Sequence, residues 1–346
     1  MRQLKIIVTV DPEIPVPPLH YGGIERIVYM LACGLKDRGH QVHLFAHPES
    51  KTPAKLIPYQ GKHSGSLRDA MLNALQIKRY VQEIGGIDII HSFSRLAYLL
   101  LLMKSRIPKI QSYQRHITPR SAYWGVSLGG KTLTFTACSR YCANTANFSG
   151  GRWVIIPNGV PIEKYQFIPE VSSVAPLVFL GRVERIKGAH IAIEVARKTG
   201  RHLIIAGNYA KEGKGYKYFI REILPHCDGK NIQYIGPVND SQKNELLGKA
   251  SALLFPIEWD EPFGITMVEA LACGTPVIAF DRGAVPEVIQ NGTDGFRCNT
   301  IEEMIESVGR IKDIDRKKCR ETVEARFSSD VIIAEYLKLY EQLTNG

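Results

Sequence analysis

Short apolar runs alternate along the chain with longer stretches in which apolar residues return every three or four positions. In the first half the runs are Leu4 to Val10, Gln41 to Ala46, Ile87 to His91, Lys109 to Tyr113, Leu133 to Ala137 and Trp153 to Ile156. The second half repeats the scheme with Leu177 to Leu180, His202 to Ala206, Ile232 to Ile235, Ala252 to Phe255, Pro276 to Phe280 and Gly295 to Cys298. Continuous runs of this length predict strands buried on both faces of a parallel sheet, and the helical spacing between them predicts the crossovers. Between the first two runs, Ile24, Ile27, Val28, Leu31 and Leu35 mark one helix face, and Gly39 ends that helix. Pro12, Pro15, Pro17 and Pro18 make the connection ahead of it extended. The chain therefore reads as α/β with two doubly wound parallel sheets, and its 346 residues exceed what one core usually supports. Ligands of such sheets collect beyond the carboxyl ends of the strands.

Composition changes this picture little until charge is considered. The seven cysteines are scattered, without a Cys-x-x-Cys or a Cys/His cluster, which suits reduced thiols in a cytosol and argues against a disulfide frame or a zinc site. Leu4 to Val10 lacks a cleavage pattern and reads as a first strand, and Leu96 to Met103 is too short to span a bilayer and reads as a buried helix. Residues 1–160 carry 20 Lys+Arg against 8 Asp+Glu, a net +12, whereas residues 161–346 carry 24 against 26, a net −2. That asymmetry points the first half toward an anionic partner: a phosphorylated acceptor, an acidic glycan or an anionic membrane face. Simple surface solvation is the plainer alternative. No nucleic-acid recognition motif accompanies the charge.

One segment concentrates candidate chemistry. Glu261-Pro262-Phe263-Gly264-Ile265-Thr266-Met267-Val268-Glu269 reads as a loop that tips into a helix at Gly264, with one carboxylate before the turn and another inside the helix. A helix start offers unpaired N–H groups and the positive end of a dipole, so Gly264, Ile265 and Thr266 can cradle a phosphate. Carboxylates beside a phosphate need partners of their own, and sugar hydroxyls are natural donors to them. Phosphate plus hydroxyls describes a nucleotide sugar. An ordinary amphipathic helix, with Ile265, Val268, Leu271 and Ala272 toward the core and Gly274 as its cap, is the alternative.

The segment resembles the signature of the retaining glycosyltransferases of the GT-B fold, family 4 (glycosyl transferases group 1): two glutamates separated by seven residues around a Phe-Gly turn. Gly181-Arg182-Val183-Glu184-Arg185-Ile186-Lys187-Gly188 is similar to that family's Gly-Arg…Lys-Gly element. Ile155 to Val160 resembles its interdomain turn, Tyr21-Gly22-Gly23-Ile24-Glu25 its glycine pair, and Gly283 to Ile289 with Asp294-Gly295-Phe296 its closing segment. The likeness runs from about residue 4 to the final helix. It implies two facing Rossmann-like domains around a central cleft: an acceptor-binding domain over 1–160, a nucleotide-sugar donor-binding domain over 161–329, and a C-terminal helix over 330–346 packing back on the first domain. Residues 157–174, rich in proline and polar residues, are the expected linker.

Roles follow from the resemblance. Arg182 and Lys187 are expected on the donor diphosphate and, with Glu261 and His116, form the expected catalytic set. Donor contacts fall to Gly22, Gly23, Arg182, Lys187, Val238 (backbone against the base), Glu261 (hydroxyls of the transferred sugar), Phe263, Gly264, Ile265, Thr266 and Glu269 (ribose hydroxyls). Acceptor contacts fall to Glu25, His91 and Gln114. Many relatives carry a histidine where this chain has Gln114, with His116 two residues later. A glutamine orients a hydroxyl but cannot shuttle its proton, so either His116 takes the role or the histidine is dispensable. His91, at a strand end, is equally a structural group or an acceptor ligand. Retention of configuration is implied in the same way, with the leaving phosphate accepting the acceptor's proton.

Asp313-Ile314-Asp315 spells a metal-binding pattern, yet it lies among Lys312, Arg316, Lys317 and Lys318 and reads as a solvated helical face. No metal and no cofactor are expected, because two cations and a helix dipole suffice to stabilise a diphosphate leaving group. The leading expectation is a metal-independent hexosyltransferase that moves a sugar from a UDP-sugar, or else from GDP-mannose, to a glycan, lipid-linked or phosphorylated acceptor. Its expected place is the cytoplasm, with peripheral contact to the inner face of an anionic membrane. A nucleotide-sugar epimerase and a nucleotide-sugar-binding module without turnover are the alternatives. An NAD-dependent oxidoreductase would need a Gly-x-Gly-x-x-Gly after a strand, and none is present.

Overall fold

A computed structural model describes residues 2–19 and 22–345. The chain forms two compact units, residues 1–159 with 329–346, and residues 160–328. The first unit holds β1 (Lys5–Thr9), β2 (Gln41–Ala46), β3 (Lys55–Pro58), β4 (Ile89–Ser92), β5 (Lys109–Tyr113), β6 (Leu133–Ala137) and β7 (Arg152–Ile155). They make one parallel sheet in the order β3-β2-β1-β4-β5-β6-β7. The second unit holds β8 (Leu177–Leu180), β9 (Leu203–Ala206), β10 (Ile232–Gly236), β11 (Ala252–Phe255), β12 (Val277–Phe280) and β13 (Gly295–Cys298), parallel in the order β10-β9-β8-β11-β12-β13. Each sheet is Rossmann-like, with its first strand near the middle.

Burial explains which strands the apolar pattern announces. Ile6, Ile7 and Val8 of β1 are wholly covered, as a central strand with helices on both faces requires. β3 has no such run: it is an edge strand, open at Lys55 and Pro58, and both residue types are common where an edge must resist further pairing. On one face of the first sheet Ile7, Phe45, Ile90, Tyr98, Leu102 and Phe135 join one apolar cluster. Leu96–Leu102 departs from the expected buried helix. It forms 3-10 turns that bury Tyr98, Leu99 and Leu102 but leave Leu100 and Leu101 exposed.

The last helix, Ser329–Thr344, belongs to the first unit. Its Ile333 fills the notch over Gly34, where an added Cβ would lie 2.0 Å from Ile333 Cδ1, and Asp330 pairs with Arg38 at 2.7 Å. The expected linker, 157–174, is held to the second unit over part of its length. Gln166 N donates to Asn244 Oδ1 (3.0 Å), and Ile168 N donates to the Cys273 carbonyl (3.1 Å), so this stretch is packed onto the second unit. Among the described residues no helix is long and apolar enough to cross a membrane.

Candidate functional site

In the second unit, β8 and β11 are neighbours, and the loops at their carboxyl ends carry Arg182, Lys187 and Glu261. The loops are tied together by backbone contacts. Glu258 N donates to the Ile186 carbonyl at 2.9 Å, and Gly188 (φ 79°) presses so closely on Pro256 that a Cβ would lie 1.9 Å from its carbonyl oxygen. Only glycine fits there, and the turn bearing Lys187 is thereby fixed against the β11 loop. From beyond β12, Ala284 N donates to the Glu261 carbonyl at 2.9 Å. Gly264, left-handed at φ 80°, then turns the chain into the helix Ile265–Ala272, with Ile265 and Thr266 half-buried at its start. Arg182, Lys187, Glu261 and the helix start at Gly264 thus share one end of the second sheet.

The charged groups are engaged with one another. Lys187 Nζ lies 2.5 Å from Glu261 Oε2, which also accepts from Trp259 Nε1 at 2.8 Å. Arg182 Nη1 donates to Glu184 Oε1 at 2.8 Å. Glu269 is only 4% exposed, and its Oε1 accepts from Lys243 Nζ and from Tyr165 OH (2.9 Å). The sequence suggested sugar hydroxyls as natural partners of the two glutamates; the structure also gives each a lysine, because a carboxylate shielded from water needs a countercharge. Trp259, Lys243 and Tyr165 were not anticipated. Trp259 stands two residues before Glu261 and was open to notice, but Lys243 and Tyr165 lie 26 and 104 residues from Glu269 with no local signal.

Phe263 and Val238 occupy different settings in this unit. Phe263 is buried and meets Phe327 edge-on at 5.9 Å, so its ring is core that anchors the turn and only its backbone is left to face a donor. Val238 is half-buried just after β10, two strands away from β8, which normal strand spacing makes roughly 10 Å. Asp315 caps the helix Arg316–Arg326 by accepting from Lys317 N at 2.8 Å, and Asp313 pairs with Arg310 at 3.4 Å. Among the described residues no group of His, Cys, Asp and Glu is arranged to hold a metal ion.

In the first unit Gly22 and Gly23 open the helix Gly23–Asp37, while Tyr21 of the same motif lies outside the described residues. Glu25 is buried in the first turn; a Cβ on Gly22 would stand 2.8 Å from its Oε2. Burial raises the pKa of Glu25, and burial likewise raises that of Asp11 against the opposing pull of Arg115. Asp11 accepts from Arg95 N (3.2 Å) and Arg115 Nη2 (2.9 Å), joining the ends of β1, β4 and β5; sequence analysis had singled out neither Asp11 nor Arg115. Gln114 follows β5 with Oε1 and Nε2 covered and no hydrogen-bond partner among the described residues. His116 is exposed, its ring 5.8 Å from that of Tyr141.

His91 is a correction. It is wholly buried on β4, with Nδ1 2.6 Å from Tyr340 OH and Nε2 2.6 Å from Ser112 Oγ. Desolvation lowers its pKa to about 3. A neutral ring sealed between the sheet and the last helix, with both nitrogens occupied, is not available to an acceptor.

Comparison with known proteins agrees with this architecture. The family model for glycosyl transferases group 1 matches residues 165–326, and that for Glycosyltransferase Family 4 matches residues 21–164. A phosphatidyl-myo-inositol mannosyltransferase of Mycolicibacterium smegmatis is 25% identical over 94% of this chain and 91% of its own. Among solved structures, sucrose-phosphate synthase from Thermosynechococcus elongatus superposes with a TM-score of 0.84 at 18% identity, covering 99% of each chain. Anabaena HepE, solved in complex with UDP-glucose, gives 0.73 at 20% identity, covering 97% of this chain and 100% of that one. The chain belongs to the GT-B glycosyltransferases of family 4, glycosyl transferases group 1.

Proposed function

We propose that the protein is a retaining hexosyltransferase that takes a sugar from a nucleoside diphosphate sugar and sets it on a hydroxyl of an anionic, lipid-linked acceptor. The observation that carries this is the grouping of Arg182, Lys187 and the helix start at Gly264 at one end of the second sheet. As the bond from the anomeric carbon to the β-phosphate oxygen breaks, charge grows on the diphosphate. Fixed cations and N–H groups stabilise that charge by roughly 3 to 4 kcal/mol per well-placed donor. In this reading phosphate replaces Glu261 as the partner of Lys187, and the released carboxylate accepts hydroxyls of the sugar. Glu269, held by Lys243 and Tyr165, serves the ribose. The departing phosphate takes the acceptor's proton, so no strong base at Gln114 is required.

The mannosyltransferase relative supports a mannosyl donor ahead of the UDP-sugar expected from sequence, and the phosphoinositide in its name supports an acidic lipid acceptor. The charge of the first 160 residues agrees with that acceptor. So does the helix Leu67–Ile84, which exposes Leu67, Met71 and Leu75 at four-residue spacing and supports peripheral contact with an anionic membrane. The test is to incubate labelled GDP-mannose and UDP-glucose, separately, with the protein and phosphatidylinositol vesicles. Transfer from GDP-mannose with retained configuration is expected, falling at least a hundredfold in Arg182→Ala or Lys187→Ala. Absence of both transfer and donor hydrolysis with either nucleotide would overturn the proposal. Gln114 in place of a histidine favours one second reading, a module that binds the nucleotide sugar without turning it over, and tight binding without reaction would select it.

A further inference from the structure

One indole touches both members of the Lys187–Glu261 pair. Its Nε1 donates to Glu261 Oε2 at 2.8 Å, the same oxygen that lies 2.5 Å from Lys187 Nζ, and that ammonium stands 4.9 Å from the centroid of the Trp259 ring. The side chains of Lys187 and Glu261 are each 16% exposed, so their contacts are largely shielded from water. The short arch that bears Trp259 is fastened at both ends, by Glu258 N to the Ile186 carbonyl and by Ala284 N to the Glu261 carbonyl, each at 2.9 Å.

We propose that Trp259 is the positioning residue for an exchange at Lys187: the indole N–H keeps Glu261 aimed when the ammonium turns to a diphosphate, while the ring face holds the ammonium in both states. This rests on the donor reading given above. A phosphate arriving at Lys187 competes with Glu261 for the ammonium's donors, and a shielded carboxylate whose lysine is drawn away reorients unless a second donor retains it. The N–H edge supplies that donor, and the π face lets the cation swing without first returning to water.

Two substitutions separate the duties. Trp259→Phe keeps a ring face and removes the N–H; Trp259→Leu removes both. With GDP and UDP as calorimetric probes, Trp259→Phe should bind within about twofold of wild type yet turn over GDP-mannose or UDP-glucose, whichever the wild type uses, about tenfold more slowly. Trp259→Leu should lose a further factor of about three to ten in diphosphate affinity. Among Trp124, Trp153 and Trp259, the emission change on adding diphosphate should come from Trp259, vanishing in Trp259→Phe and surviving in Trp124→Phe. Wild-type turnover and an unchanged emission response in Trp259→Phe would overturn the assignment. So would equal losses of affinity, turnover and melting temperature in both variants, the mark of a merely structural tryptophan. Failure of the wild type to bind either diphosphate would instead sink the donor reading itself, and this inference with it.

Discussion

Glu269 lies in a nearly closed environment where Lys243 Nζ and Tyr165 OH both approach Oε1. Removing the lysine alone leaves an uncompensated buried carboxylate, so Lys243→Met should lower the unfolding free energy by about 3 to 5 kcal/mol in urea titrations. Adding Glu269→Gln should restore a good part of that loss. If the double variant were as unstable as the single one, the pair would not be the source. Lys187 and Glu261, nearer the surface, should matter more to function than to stability. Their motifs are legible because the residues fall within short segments, 181–188 and 261–269. The partners Lys243 and Tyr165 are not, since nothing in a local pattern encodes contact across 26 or 104 positions.

At the level of elements, apolar runs mark the strands covered on both faces, and they fail at β3, where an edge position removes the need for them. His91 shows the same limit for a single site. A strand-end histidine looks available in sequence, but its partner Tyr340 arrives from 249 residues away on the last helix. Its burial has a consequence for acid stability. The folded-state pKa, about 3, lies below the ordinary 6.5, so the unfolded chain takes up a proton that the native state refuses. Stability from this group is therefore complete above pH 6.5 and declines as pH falls toward 3, by at most about 1.4 kcal/mol per pH unit. His91→Gln, neutral throughout, should show a flatter urea midpoint between pH 7 and 4.5 than wild type. Asp11 and Glu25, whose pKa values are raised by burial, act with the opposite sign, and comparing the two proteins cancels them. An identical pH slope in both would remove His91 from the account.

Across the whole molecule, the excess positive charge lies in residues 1–160, and the same part of the chain carries Leu67, Met71 and Leu75, exposed by 91%, 53% and 37% on one helix. Under the membrane-contact proposal, exposed apolar side chains and a net positive charge in the same part of the chain would both favour acidic lipid. Binding to vesicles containing phosphatidylinositol should weaken between low and physiological salt, as exposed charges are screened over about 8 to 10 Å. Replacing all three apolar residues with serine should reduce it further, and salt-insensitive binding would contradict the electrostatic part. The claim on which the functional account turns is that Arg182, Lys187 and the helix start at Gly264 clasp one diphosphate. Calorimetry of GDP and UDP against guanosine and uridine, on the wild type and the Arg182→Ala/Lys187→Ala double variant, tests it most directly. A diphosphate should bind the wild type about a hundredfold more tightly than its nucleoside, and the double variant should lose this difference. Equal affinity for diphosphate and nucleoside in the wild type, or diphosphate affinity untouched by the double replacement, would contradict it.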